Sequence, residues 1–490
     1  MRAEIGKGAK WMVLLRIVDR VFGVASTLVL ARLLLPTDFG VVAMATSFNA
    51  LIELVTAFGF DVVLIQKEKP QRRDYDTAWT LSIALYACCA GLMALLAFPA
   101  AAFYREPRLI TAMPAIAVVW LLKGFENSGI VDFRRQMNFS REFVYNTLLR
   151  LCGVLVTITG AIVMRSYWAL IAGMITGRAV GLVLSYVMVP YRPRLDLSGT
   201  RELLTFSRWL LINNATLVGV VRLPHFLIGR LLGSQALGLF TVSYDIATLP
   251  ATELSSPVNR AALPGYSRMR EDRLRFKETF LDVGAIVIAL ALPASAGLVV
   301  LAEPLVRVLL GEKWLAAVPI IKILAMSAVL VAATGNNGVG HLALGYPRAV
   351  TFQSMLRLIV LLILGLSLAP LFGVVGVTIA ELCGAAVCLL ASFPVVLREL
   401  KISFWEYLLR IWRPIVATAV MAMAVLAVQP FCPHGAGLMP ALWTILISVP
   451  VGLVVYSLLL IAMWWLSGKP EGTEKLLVNQ VAGFLRLSWA

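Results

Sequence analysis

The chain has 490 residues, of which 60% are hydrophobic, with a mean hydropathy of +0.86 and a formal net charge of +16. A soluble protein of this length has no interior large enough for that apolar surface, and the short alternating strands of a membrane barrel are missing from the sequence. What remains is an all-α polytopic membrane protein. Its basic excess sits mostly in short loops, where it sets orientation beside an anionic leaflet, so no nucleic-acid partner is expected.

Apolar runs long enough to cross about 30 Å of hydrocarbon recur from end to end. About fourteen are read, near 11–32, 41–65, 77–100, 109–131, 143–164, 167–190, 209–232, 236–258, 281–302, 315–338, 348–370, 373–397, 413–430 and 438–466. The first carries internal charges and lacks a small-residue cleavage site, so it reads as a permanent span and not as a leader. Five of the six cysteines lie inside apolar runs and read as small core residues. Basic loops alternate with poorly charged ones. Arg2, Lys7 and Lys10 precede the first span, and Lys67, Lys69, Arg72 and Arg73 follow the second. Arg134, Arg135 and Arg141 follow the fourth, and six cations lie between 260 and 277. This regularity predicts an even number of spans with both termini in the cytoplasm.

The segment "YRPRLDLSGTRELLTFSRW" (191–209) is expected to be cytoplasmic, with an amphipathic turn or two, and is long enough to link two bundles. The expected organisation is a six-helix bundle over 1–190, a linker over 191–208, a second six-helix bundle over 209–397, and two last helices with a cytoplasmic tail over 398–490. A repeat supports it. "ARLLLPTDFG" (31–40) is echoed by "GRLLGSQALG" (229–238): Arg32 and Arg230, Gly40 and Gly238, and Trp11 and Trp209 are all 198 positions apart. "AMPAI" (112–116) and "AVPII" (317–321) echo at a slightly larger offset, each in the fourth span of its half. Six spans per half give both halves the same orientation, related by an axis along the membrane normal.

The stretch "LARLLLPTDFGVVAMATSFNALIELVTAFGFDVVLIQ" (30–66) resembles the first two helices of polysaccharide exporters of the multidrug/oligosaccharidyl-lipid/polysaccharide superfamily, more narrowly the bacterial Wzx-type flippases. "LIGRLLGSQALGLFTVSYDIATLP" (227–250) and "FGVVGVTIAELCG" (372–384) share the resemblance. It implies two six-helix bundles in a V around a central cavity, two further C-terminal helices, and alternating access driven by an ion gradient. The substrate it implies is an undecaprenyl-pyrophosphate-linked oligosaccharide. Membrane lipids and other polysaccharide-assembly proteins are the remaining expected partners, and no cofactor is expected.

A charge within hydrocarbon costs about 2.5–3.5 kcal/mol on insertion scales, so such charges pair or face water. Arg16, Asp19 and Arg20 lie three and four apart, on one face of the first span. The seventh holds Asn213, Asn214, Arg222 and His225, with Pro224 expected to kink it. Arg150, Arg178, Lys322 and Arg357 add positive charge at moderate depth. One reading is a wet, cationic cavity in which arginine forks grip carboxylates and the carrier's pyrophosphate. The bland reading is that some of these residues snorkel or pair structurally, and that His225 is a packed group. Asp19, Asp61, Asp245 and Glu253 are the candidates for ion coupling, because a desolvated carboxylate can carry a proton. Asp245 and Glu253 are eight apart, two turns on one face.

A drug or cation exporter of the same superfamily would want an acidic cavity, and the arginine excess opposes it. A peptidoglycan-precursor flippase shares the fourteen-span plan. A membrane-embedded polymerase or glycosyltransferase needs catalytic groups on sizeable outer loops. Here those loops are short, and no metal motif, nucleophile elbow or phosphate loop is read, so no enzyme is expected.

Overall fold

The computed structural model describes residues 2–56, 64–65, 67, 70–198, 208–433, 435 and 437–467. Every regular element among them is helical. The chain divides into two compact units, Met1–Thr241 and Val242–Ala490.

The first unit begins with α1 (Arg2–Leu33) and α2 (Pro36–Thr56). The turn between them follows from its residues. Pro36 has the backbone angle of a first helical turn and lacks only a donor that would have no partner there. The buried Asp38 carboxylate accepts from the Leu35 amide at 3.0 Å and from the Tyr167 amide at 3.1 Å, so it caps its own helix and ties it to a later one. Then come α3 (Arg72–Leu95), α4 (Ala97–Tyr104), α5 (Leu109–Gly124), the short α6 (Val131–Arg135), α7 (Phe139–Met164) and α8 (Trp168–Met188). α7 and α8 pack closely where Gly153 faces Gly173 and Gly177, as small residues permit between membrane helices.

After α8 the chain turns back along α3 without a helical turn. The Arg194 amide donates to Asp76 at 2.7 Å, the Asp196 amide to Thr80 at 2.9 Å, and the Tyr191 hydroxyl to Asp76. Burial and the Asp76 carboxylate push the Tyr191 hydroxyl well above its ordinary pKa. The amphipathic turn expected after Gly199 in the linker lies outside the described residues.

α9 (Arg208–Arg268) breaks at Gly233 (φ 85°, ψ −176°), beyond Pro224 in the chain. The boundary between units at Thr241 also falls later than the linker expected at 191–208. Packing within the first unit explains it. Phe226 of α9 stacks on Tyr104 at 6.3 Å and meets Phe48 edge-on at 5.4 Å, so the N-terminal half of α9 belongs to the first core.

The second unit contains the rest of α9, α10 (Arg273–Val300), α11 (Ala302–Leu309), α12 (Val318–Leu344), α13 (Pro347–Leu400), α14 (Phe404–Val428) and α15 (Leu438–Leu466). α13 reverses at Gly373 (φ 58°, ψ −137°). Its halves lie side by side, with Gly384 against Arg357 and Gly376 against the Leu368 carbonyl. The core gathers on Tyr266, Phe276 and Phe280, and the Tyr266 hydroxyl donates to Asn336 at 2.8 Å. Lys277–Glu406 at 2.8 Å and Arg410–Glu278 at 2.6 Å join α10 to α14, and the Tyr456 hydroxyl donates to the Ala289 carbonyl at 2.7 Å, joining α15 to α10.

Among the described residues nine helices are long and apolar enough to cross a membrane, or ten if the bent pair Leu109–Gly124 and Ser128–Arg135 counts as one span. That count, made on the described residues alone, does not test the expected fourteen. Two of the nine, Val218–Arg268 and Pro347–Leu400, hold a glycine break and each covers two expected spans.

Candidate functional site

The repeated motif marks a helix crossing. A Cβ at Gly40 would stand 1.7 Å from the Ser234 carbonyl oxygen, and a Cβ at Gly238 would stand 1.7 Å from that of Pro36. Only two glycines let these backbones approach so closely. Equivalent positions of the two echoes thus pack on each other. Neighbouring groups support the crossing. Arg108 forms a fork on Glu106 at 2.7 and 2.8 Å and reaches the Ser234 hydroxyl at 3.3 Å, while the Arg230 guanidinium lies over the Phe103 ring at 5.5 Å. Arg108 holds the Glu106 carboxyl below its ordinary pKa.

The charges of the first span are not buried together. Arg16 and Asp19 are half-buried and Arg20 is exposed. One turn further, the Arg150 guanidinium from α7 lies against Gly23, where a Cβ would be 3.3 Å from its Nη2. Arg150 therefore joins the face of Arg16 and Arg20, although 130 residues separate it from Arg20. In α9, Arg222 is half-buried, whereas His225 is buried, its Nδ1 3.2 Å from the Val221 carbonyl and its ring edge-on to Phe240 at 5.5 Å. His225 is thus packed within the first unit, between the Val221 carbonyl and the Phe240 ring. Asp61, and the side chains of Asn213 and Asn214, lie outside the described residues.

Arg178 lines a half-open cavity of about 360 Å³ enclosed by α3, α5, α7 and α8. Its guanidinium is 3.5 Å from Glu126, and the Arg134 guanidinium donates to Glu142 at 2.6 Å on the same wall. Lys123, Glu126, Arg134 and Glu142 are not among the residues expected from the sequence. Lys123 and Glu126 are three apart around the end of α5, but only the fold brings them to Arg178.

The second unit treats its cations differently. Arg357, expected in the cavity, is half-buried and paired with the buried Glu381 across the two halves of α13. Gly373 reverses the chain between them, so an acid 24 positions away becomes its neighbour. Lys322 is exposed. Asp245 is exposed and Glu253 half-buried on the second part of α9.

The chain matches the family described as polysaccharide biosynthesis protein over residues 29–319. It is 24% identical to the teichuronic acid biosynthesis protein TuaB of Bacillus subtilis (strain 168), over 97% of this chain and 98% of that one. It is 22% identical to the lipopolysaccharide biosynthesis protein WzxC of Escherichia coli (strain K12), over 84% and 85% respectively. Among solved structures, the lipid II flippase MurJ in its inward closed conformation aligns with a TM-score of 0.72 at 12% identity, covering 92% of this chain and 99% of that one. An inward-facing multidrug resistance MATE transporter of the MOP superfamily aligns with a TM-score of 0.55 at 15% identity, covering 79% and 94%. The chain belongs to the polysaccharide biosynthesis protein family, on the all-helical fold that MurJ shares with MOP transporters.

Proposed function

We propose that this protein is a flippase that moves undecaprenyl-pyrophosphate-linked oligosaccharide repeat units from the cytoplasmic to the periplasmic leaflet, for exopolysaccharide or O-antigen synthesis. Unaided, the head of such a lipid loses the water on its hydroxyls and charges, at a cost that makes crossing very slow. A wet path lined with arginine forks replaces that water and binds phosphate and carboxylate oxygens two at a time. The observation that carries the reading is the face shared by Arg16, Arg20 and Arg150, on two helices of a chain with this family and fold. Arg222 extends the basic character into α9. A cationic drug would be repelled by the same groups.

In this reading both termini are cytoplasmic, the two repeats form the two bundles of an alternating-access carrier, and Asp19, Asp61, Asp245 and Glu253 are the candidates for ion coupling. Other polysaccharide-assembly proteins receive the flipped unit. Deleting the protein and examining membrane lipids by mass spectrometry tests the reading: the lipid-linked repeat unit accumulates on the inner leaflet and polymer export stops. Absence of accumulation rejects it. Arg222→Ala abolishes export at normal protein levels; unchanged export removes Arg222 from the path.

A further inference from the structure

We propose that the half-open cavity of the first unit is a subsite for one anionic sugar ring, a hexuronate or its chemical equivalent. The inference rests on the proposed carrier function and adds where one acidic sugar of the headgroup is recognised.

Size comes first. The cavity holds about 360 Å³, near the lower end of the roughly 300–1,000 Å³ of small-ligand sites. It admits one ring, and neither a whole oligosaccharide nor a polyprenyl chain fits. In the proposed orientation it lies at the cytoplasmic end of its helices, where the substrate is loaded.

The lining fits a carboxylated ring. Glu126 and Glu142 offer acceptors to ring hydroxyls, and the Asn127 and Asn146 carboxamides offer both donors and acceptors. Lys123, Arg134 and Arg178 outnumber the two carboxylates by one. The surplus matches a monoanion, whereas phosphate or pyrophosphate would meet two carboxylates with too little compensation. The Arg178–Glu126 separation of 3.5 Å is longer than a charge-assisted hydrogen bond, so the fork can turn to a ligand carboxylate without losing a tight partner. Tyr86 and Tyr145 present apolar faces, and the Lys123 ammonium holds Tyr86 in place from 5.0 Å over its ring. Gly181 packs beside two of the lining residues: a Cβ there would crowd the Tyr145 hydroxyl at 3.2 Å and Glu126 Oε1 at 3.4 Å.

Calorimetry on the full-length protein in detergent tests the site with three probes: glucuronate, glucose and inorganic phosphate. Glucuronate binds with a Kd of about 1 mM, and glucose and phosphate bind at least about tenfold more weakly. Arg178→Ala weakens glucuronate about tenfold, and Arg134→Gln at the exposed rim about threefold. Glucose equal to glucuronate, phosphate tighter than glucuronate, or glucuronate binding that ignores both substitutions overturns the proposal. Should Arg178→Ala fail to fold, the ranking of probes on the unaltered protein and the Arg134→Gln value still decide. No lipid carrier enters these measurements. A wrong ranking therefore removes the subsite and leaves the accumulation experiment standing, while a strain without accumulation removes the carrier function and leaves a cavity that binds a sugar acid.

Discussion

Both units carry arginines in or beside apolar helices, yet they are met differently. In the second, the half-buried Arg357 pairs with the buried Glu381, and Arg410 lies 2.6 Å from Glu278 and 3.2 Å from Asp282. These pairs bridge two helices or the two halves of one, and they hold the unit together. In the first, the tight pairs Arg108–Glu106 at 2.7 Å and Arg134–Glu142 at 2.6 Å lie at helix ends, while Arg20 and Arg150 are exposed on one face and Arg178 lines a cavity with a carboxylate at 3.5 Å. Composition alone does not separate the groups, because hydrophobic stretches surround all of them. An arginine's role is set by whether the fold supplies an acid at close range, and by whether water still reaches it.

The largest expected effect probes the closed pair. Glu381→Gln leaves the Arg357 guanidinium buried without its counter-charge and costs about 3–5 kcal/mol. Replacing both partners, Arg357→Met with Glu381→Leu, restores most of that loss, because neither charge then has to be desolvated. Arg178→Ala in the first unit costs no more than about 1 kcal/mol, since its pair is loose and partly solvated. Thermal unfolding in detergent measures all three. A loss for Arg178→Ala as large as for Glu381→Gln would erase the distinction between the units.

Next comes the glycine crossing. Gly40→Ala and Gly238→Ala each place a methyl group inside contact distance of a carbonyl and cost about 1–3 kcal/mol or more as the backbones separate. The double variant costs less than the sum, because the first methyl has already opened the contact that the second would meet. Strict additivity in unfolding measurements would mean that the two glycines do not share one crossing. Smaller in stability, but decisive for function, is Arg150→Ala. As an exposed residue it shifts stability by less than about 0.5 kcal/mol, while polymer export falls about tenfold if it shares the face of Arg16 and Arg20. Normal export would leave that face without Arg150.

These contrasts show what the sequence could and could not convey. The helical class is legible in hydropathy, and the turn between the first two helices in the break between the apolar runs 11–32 and 41–65. The echo at Gly238 was visible, but its meaning was not, because a backbone approach across a long stretch of chain leaves no local signal. Arg357 was placed in the cavity because its partner lies beyond a reversal at Gly373, and apolar text gives no sign of where such a helix folds back. His225 stands beside Arg222 in the sequence, and only the fold brings its ring edge-on to Phe240. Glu126 and Glu142 were overlooked for the opposite reason. They sit near loops, where acids are ordinary, and become unusual only when four helices enclose them.

The smallest effect tests whether the loop beside the crossing behaves like the closed pairs or the open ones. Glu106 lies outside the apolar helices, and its carboxyl is held below its ordinary value of 4.5 mainly by hydrogen bonds from Arg108. A carboxyl depressed on folding lends stability that is complete above the unfolded value and fades as pH falls through the folded one. Arg108 is partly solvated, so the pair contributes about 0.2–1 kcal/mol. At pH 7 Glu106→Gln therefore unfolds slightly earlier than the unaltered protein. On acidification below pH 4.5 the two unfolding temperatures converge, because the native carboxyl then takes up the proton that the amide mimics. A gap that persists unchanged at low pH would mean that Glu106 supports the crossing by shape and not by charge. The Arg108–Ser234 contact would then have to do without electrostatic help.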